Sequence, residues 1–122
     1  MNEYPTVTPY LMVKGAQQLI TFLEEVFDAH TRDIEQNDDG TIRNAEIEMG
    51  DSLVMAADAR GEWVPTPGSI YLMVDDVDKR YNKALGLGAT SVMEPANQAY
   101  GHRSSGVKDM TGCIWWISGP IK

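Results

Sequence analysis

Cysteine is almost absent from this chain: Cys113 is the only one in 122 residues. A single thiol cannot close an internal disulfide, so burial and hydrogen bonding must hold the fold, and a reducing cytoplasm is its expected location. Basic charge is also scarce. Ten Lys and Arg face eighteen Asp and Glu, for a formal charge of −8, and the ten are scattered. Nucleic acid is a poor partner for such a surface, because neutralising phosphates needs grouped cations. Every apolar run is broken within about eight residues, so no segment is long enough to span a bilayer and no membrane partner is expected. The opening Met1-Asn2-Glu3-Tyr4-Pro5 has neither a basic stretch nor an apolar core and does not read as a secretory signal. The two histidines, His30 and His102, do not make a metal site by themselves.

The chain does contain a repeat. Tyr-Leu-Met-Val occurs at 10–13 and again at 71–74, an offset of 61 in a chain of 122. Each copy runs through a polar turn into an amphipathic stretch, 16–27 and 77–87. Each stretch leaves by a similar exit, Phe27-Asp28-Ala29 and Leu87-Gly88-Ala89. A shared strand–turn–helix–turn order points to two copies of one supersecondary unit. The length suits one domain with an ordinary core. Its two repeats are expected at about 5–57 and 68–119, joined by a Gly- and Pro-rich loop over 58–68.

Periodicity fills in the elements. Residues 6–13 read as a strand, placed at a sheet edge because Pro9 has no N–H for a ladder. Leu19, Ile20, Leu23, Val26 and Phe27 recur at helical spacing over 16–27. Strands are expected at 31–36, at 41–49 with a slip near Asn44, and at 52–57. In the second repeat the strand 69–74 leads to a helix over 77–86 with Asp76 as N-cap and Val77, Tyr81, Ala84 and Leu85 inward. Strands at 90–94, 102–108 and 113–118 follow, with 95–99 irregular. Both halves are β-α-β-β-β, which gives an α+β fold of two cupped mixed sheets with helices on the outer face.

The closing segment from Tyr100-Gly101-His102-Arg103 through Asp109-Met110-Thr111-Gly112 to Trp115-Trp116 is similar to a family pattern. That pattern is Tyr-Gly-Asp-Arg, a short strand, Asp-Pro-Phe-Gly, then Trp. With Thr8-Pro9-Tyr10-Leu11 and Ala45–Ser52, the chain resembles the vicinal-oxygen-chelate superfamily of glyoxalases, bleomycin-resistance proteins and ring-cleaving dioxygenases, in its PhnB-like branch. Enzymes of that superfamily hold a divalent metal with His and Glu from four strands. In strand register those ligand positions fall here on Thr8, Ser69, Trp116 and the strand of Glu46 and Glu48. Only the last keeps a carboxylate. A hydroxyl is a poor transition-metal ligand and an indole is none, so no cofactor is expected.

The same register lists a candidate ligand-binding surface. Alternation puts Thr8, Tyr10 and Met12 on one face of the first strand and Ser69, Tyr71 and Met73 on the equivalent face of its repeat. Ile114, Trp116 and Ser118 share that face, while Cys113, Trp115 and Ile117 turn towards the helices. Trp116 with Tyr10 and Tyr71 is either a stacking platform or a plug that fills its own cavity. Glu46 and Glu48 hold a cation, act as a base, or form a solvated strand face. Arg103 fixes an anion or anchors its hairpin through Asp109. His102 stands where the pattern has aspartate. Trp63, in the loop between repeats, is a lid or packs over the sheet edge. Cys113 is expected to be buried and inert.

The expectation is a metal-free protein that binds a hydrophobic or cationic aromatic small molecule, as the resemblance to bleomycin-resistance proteins implies. The ligand-binding residues are Thr8, Tyr10, Met12, Glu46, Glu48, Trp63, Ser69, Tyr71, Met73, Arg103 and Trp116; no catalytic residue is assigned. Two alternatives stay open: a metal-dependent lyase or dioxygenase with ligands displaced to Glu46, Glu48 and His102, and a ligand-free assembly module. A homodimer is expected in each case, with or without exchange of halves.

Overall fold

The computed structural model describes residues 4–122. Met1, Asn2 and Glu3, part of the segment that does not read as a secretory signal, lie outside it. The chain divides between Pro67 and Gly68 into two compact units. Each is a β-α-β-β-β unit with a four-stranded mixed sheet and one helix, so the fold class is α+β as the periodicity implies.

In the first unit, β1 (Tyr10–Val13) leads into α1 (Ala16–Phe27), then β2 (His30–Gln36), β3 (Ile42–Met49) and β4 (Ser52–Asp58). The strand order is β1-β4-β3-β2, with β1 parallel to β4 and the rest antiparallel. β1 is an edge strand, but shorter than the expected 6–13. Ladder pairing starts at Tyr10, where Pro9, which cannot donate, contributes only its carbonyl to the Met55 N–H at 2.9 Å. The slip foreseen near Asn44 is a register shift, since Glu35 pairs with Asn44 but Gln36 pairs with Ile42.

One face of this sheet is covered by α1. Leu11, Val13, Ala45, Ile47, Val54 and Ala56 are buried with Ala16, Leu19, Ile20, Leu23 and Val26 of the helix. Phe22 is also fully buried, and meets Phe27 edge-on with ring centroids 6.0 Å apart. The start of α1 has no side-chain cap of its own, because Gly15 occupies the N-cap. Asp58 supplies the cap from the end of β4. Its Oδ1 accepts from the Gly15 and Ala16 N–H groups at 3.1 and 2.9 Å, and its Oδ2 accepts from Ile42 N–H at 2.7 Å.

The second unit repeats the plan with β5 (Ser69–Met73), α2 (Val77–Gly86), β6 (Thr90–Asn97), β7 (Arg103–Lys108) and β8 (Ile114–Gly119), ordered β5-β8-β7-β6. Asp76 caps α2 by accepting from Lys79 N–H at 3.2 Å. Val77, Tyr81 and Ala84 are buried under it, as are Val107, Cys113, Trp115 and Ile117 of the sheet. Residues 95–97, expected to be irregular, belong to β6. Pro95 is tolerated because β6 is an edge strand whose register shifts between Met93 and Ala96. Gly119 allows β8 to close on the entry to α2: a Cβ there would lie 2.4 Å from the Val74 carbonyl oxygen. None of the described helices is long and apolar enough to cross a membrane.

Because the Asp58 carboxylate satisfies donors from the helix start and from β3, Asp58→Ala leaves three N–H groups to find water. It should destabilise the fold by about 2–4 kcal/mol, read as a lower midpoint in urea unfolding with little change in slope.

Candidate functional site

Each helix covers one sheet face, and the opposite, open face carries most of the candidate site residues. The cross-strand register defines a row of side chains there in each unit. In the first unit the row is Tyr10, Met55, Glu46 and Asp33; in the second it is Tyr71, Trp116, Gly106 and Met93. Tyr10 and Tyr71 occupy equivalent places, but the remainder of the two rows has diverged.

The first row is electrostatic. Glu46 is 7% exposed, contrary to the solvated strand face that alternation alone implies. Arg32 donates from Nε to Glu46 Oε1 at 2.8 Å and lies 3.7 Å from a Glu48 carboxylate oxygen through Nη1. The Tyr4 hydroxyl donates to Glu46 Oε2. The Arg32 guanidinium also sits over the Tyr4 ring, 5.3 Å from its centroid, within cation–π range. The hydrogen bond from Tyr4, then that from Arg32, holds the Glu46 carboxyl below its ordinary pKa, and Glu46 in turn raises the Tyr4 phenol. Glu48 is half-buried beside this cluster, and Thr8 and Met12 are half-buried at the β1 side. A carboxylate with both oxygens engaged and its charge neutralised is a poor general base.

The second row is aromatic. Trp116 donates from Nε1 to Ser69 Oγ at 2.9 Å. The six-membered ring lies against Gly106, where a Cβ would meet Trp116 Cζ3 at 2.7 Å and Cε3 at 2.8 Å. Ser69 belongs to one neighbour of β8 and Gly106 to the other. The indole therefore reaches across its own strand towards both neighbours and is half-buried. Beside it Tyr71 is 51% exposed and Met73 54%.

Other expected site residues are elsewhere. Arg103 lies on the helix side of the second sheet. It is paired with Asp78 of α2 at 3.0 Å, not with Asp109, and it also donates to the Asn97 side chain. Lys122 reaches the same Asp78 at 2.7 Å, and these two cations lower the Asp78 pKa, Lys122 most. They line an open pocket of about 400 Å³ with Tyr81 and Glu94. Asp109 is instead buried in the β7–β8 turn, where it accepts from Trp115 Nε1 and Thr111 N–H, each at 2.7 Å, and from the Cys113 N–H. Burial raises the Cys113 thiol above its ordinary pKa, which removes the thiolate a nucleophile needs. Trp63 is 61% exposed in the 59–68 segment, its N–H bonded to the Arg60 carbonyl. Tyr4 and Arg32 were missed by sequence reasoning; nothing in a lone Tyr near the start signals that it returns to a strand 42 residues away.

The residues at the superfamily's metal positions do not fit a divalent ion. Glu46 has both oxygens committed to Arg32 and Tyr4, Ser69 accepts from Trp116, and the fourth position is an indole. Among the described residues no group of three or more His, Cys, Asp or Glu could hold a metal.

Against known proteins, the family model described as Glyoxalase/Bleomycin resistance protein/Dioxygenase superfamily matches residues 5–117. Uncharacterized proteins of Mycobacterium bovis and Mycobacterium tuberculosis are each 30% identical over the whole chain, covering 88% and 78% of their own lengths. In fold, the chain is similar to TioX from Micromonospora sp. ML1, with a TM-score of 0.76, 22% identity, and coverage of 97% of this chain and 98% of that one. It is also similar to a PhnB protein from Bacillus cereus, with a TM-score of 0.77, 19% identity and coverage of 94% and 99%. The fosfomycin resistance protein FosX from Mesorhizobium loti matches with a TM-score of 0.69, 19% identity and coverage of 98% and 93%.

The depressed Glu46 pKa gives a stability contribution that is full above the unfolded-state value and is lost as pH falls through the lower folded-state value. Glu46→Gln should therefore be clearly less stable than the parent at about pH 7, and the gap should narrow towards about pH 3, as measured by urea unfolding at each pH.

Proposed function

The chain belongs to the glyoxalase/bleomycin resistance protein/dioxygenase superfamily, and from that premise we propose that it is a metal-free small-molecule binding protein. Its ligand is a hydrophobic or cationic aromatic compound, held on the open face of the second sheet. The observation that carries this reading is the Trp116 indole, held across its own strand beside the exposed Tyr71 and Met73. Flat apolar surface with adaptable thioether neighbours suits a planar ligand. The net charge of −8 favours a cationic one. The committed state of Glu46 and Ser69 supports metal-free binding rather than a lyase or dioxygenase.

Two further features complete the proposal. The protein works in the cytoplasm, in keeping with one buried cysteine. It forms a homodimer, by pairing or exchange of its two similar units.

Calorimetric titration of metal-stripped protein with Ni²⁺, Mn²⁺, Zn²⁺ and Fe²⁺ should give no stoichiometric binding tighter than about 1 μM. Such binding, if lost in Glu46→Ala or Glu48→Ala, would establish the enzyme reading instead. Sedimentation should give the mass of two chains; a mass of one chain rejects the dimer. Proflavine, a planar tricyclic cation, should bind the parent and lose about tenfold or more in affinity in Trp116→Ala.

A further inference from the structure

Gly106 is an anomaly in its strand. It lies in the interior of β7, where glycine has no side chain to pack and costs backbone entropy. Its backbone does not require glycine, since its φ is not among the positive ones. The neighbouring indole accounts for it. A Cβ at 106 would lie 2.7–2.8 Å from the two Trp116 ring carbons and 3.5 Å from Val92 Cβ, so any side chain there occupies the space the ring uses to lie down. On the other side of β8, the Ser69 hydroxyl takes the indole N–H at 2.9 Å. Ser69 pairs with Ile114, two residues from Trp116 on the same face, which places it on the diagonal an indole can reach.

We propose that Gly106 and Ser69 are positioning residues that hold the Trp116 ring flat, making a one-sided stacking platform selective for planar ligands. The proposal rests on the reading of Trp116 as a binding surface and adds how its specificity arises. With the N–H committed to Ser69, the platform offers a ligand a π-face and no hydrogen-bond donor. Tyr71 and Met93 stand at the two ends of the row. A planar aromatic can lie against the upper ring face, while a bulky globular compound of equal hydrophobicity cannot. The clash at 106 is with a side-chain ring rather than with backbone, so a methyl group there displaces the ring and leaves the ladder intact.

The experiment measures binding of proflavine and of tetraphenylphosphonium, a non-planar cation, to the intact parent and to Gly106→Ala, Ser69→Ala, Ser69→Thr and Trp116→Ala. The indole N–H resonances are followed by NMR. The expected result is that the parent prefers proflavine. Gly106→Ala should lose about tenfold of that preference and shift the Trp116 indole resonance, leaving those of Trp63 and Trp115 in place. Ser69→Ala should shift the same resonance and lose several-fold in affinity, and Ser69→Thr, which keeps the hydroxyl, should restore both. If Trp116→Ala abolishes proflavine binding while Gly106→Ala and Ser69→Ala retain it, the positioning proposal is overturned and the binding surface stands. If Trp116→Ala itself binds like the parent, the binding surface is rejected and the proposal with it. If Gly106→Ala does not fold, the two Ser69 variants decide, since they alter only one exposed hydroxyl.

Discussion

Both halves of this molecule depend on one parallel contact, that between the strand that enters the helix and the last strand of the unit. β1 lies on β4 and β5 on β8, so the final strand of each half is inserted beside the first rather than added at the far edge. The helix between them then covers one face of the sheet, as a strand-to-helix crossover requires. The opposite face is left open, and every residue on it has a neighbour fixed by register. This is why a single row of side chains can be traced across each sheet, and why changes in that row change chemistry without touching the core. In each unit the contact is secured at its C-terminal end. Gly119 lets β8 meet the turn into α2, and Asp58 ties the end of β4 to the start of α1.

The two rows show what one backbone plan can carry. In the first unit a buried carboxylate is balanced by a guanidinium and a phenol. Burying Glu46 alone would be unfavourable by several kcal/mol, and Arg32 with Tyr4 offsets this by neutralising its charge and engaging both oxygens. In the second unit the equivalent places hold an indole and a glycine. A metal would need free donors, and Glu46 and Ser69 have partners of their own. The acidic composition is therefore not all solvated surface. Asp58, Asp109 and Glu46 each organise backbone or side-chain donors, and the remaining carboxylates set the field around the open faces.

Most of the fold was legible in the residues. The Tyr-Leu-Met-Val repeat, the helical spacing over 16–27 and the alternation over 113–118 gave both units, both helices and the inward side of Cys113, Trp115 and Ile117. What alternation cannot give is what lies on top of a face. Glu46 and Glu48 do share a face, yet Glu46 is buried because Tyr4 and Arg32 come to it from other segments. Arg103 was read as fixing an anion or anchoring its hairpin through Asp109, six residues on. Its partner Asp78 is 25 residues back on α2, a contact set by helix packing that short-range spacing does not encode. Proline cut β1 short of the expected 6–13, whereas β6 runs through Pro95, which falls in the register shift between Met93 and Ala96 and has no ladder bond to lose. The signal for the Trp116 ring was present as a glycine in the middle of a strand, and it acquires meaning only once β7 and β8 are in register.

That ring also bears on the proposed choice of a platform over a plug. A plug would bury Trp116 and its neighbours. Within the second unit Tyr71 is instead 51% exposed, and the indole N–H is satisfied by a serine of the same sheet. The ring is held by partners on either side of its strand. A side chain serving only to fill space would have no reason to remove the Cβ of its neighbour so that it could lie down. A surface meant to meet a flat molecule would, because planarity of the receptor is what makes stacking favourable over the whole ring. On the proposed reading, the glycine at 106 is the feature that separates a platform from a plug.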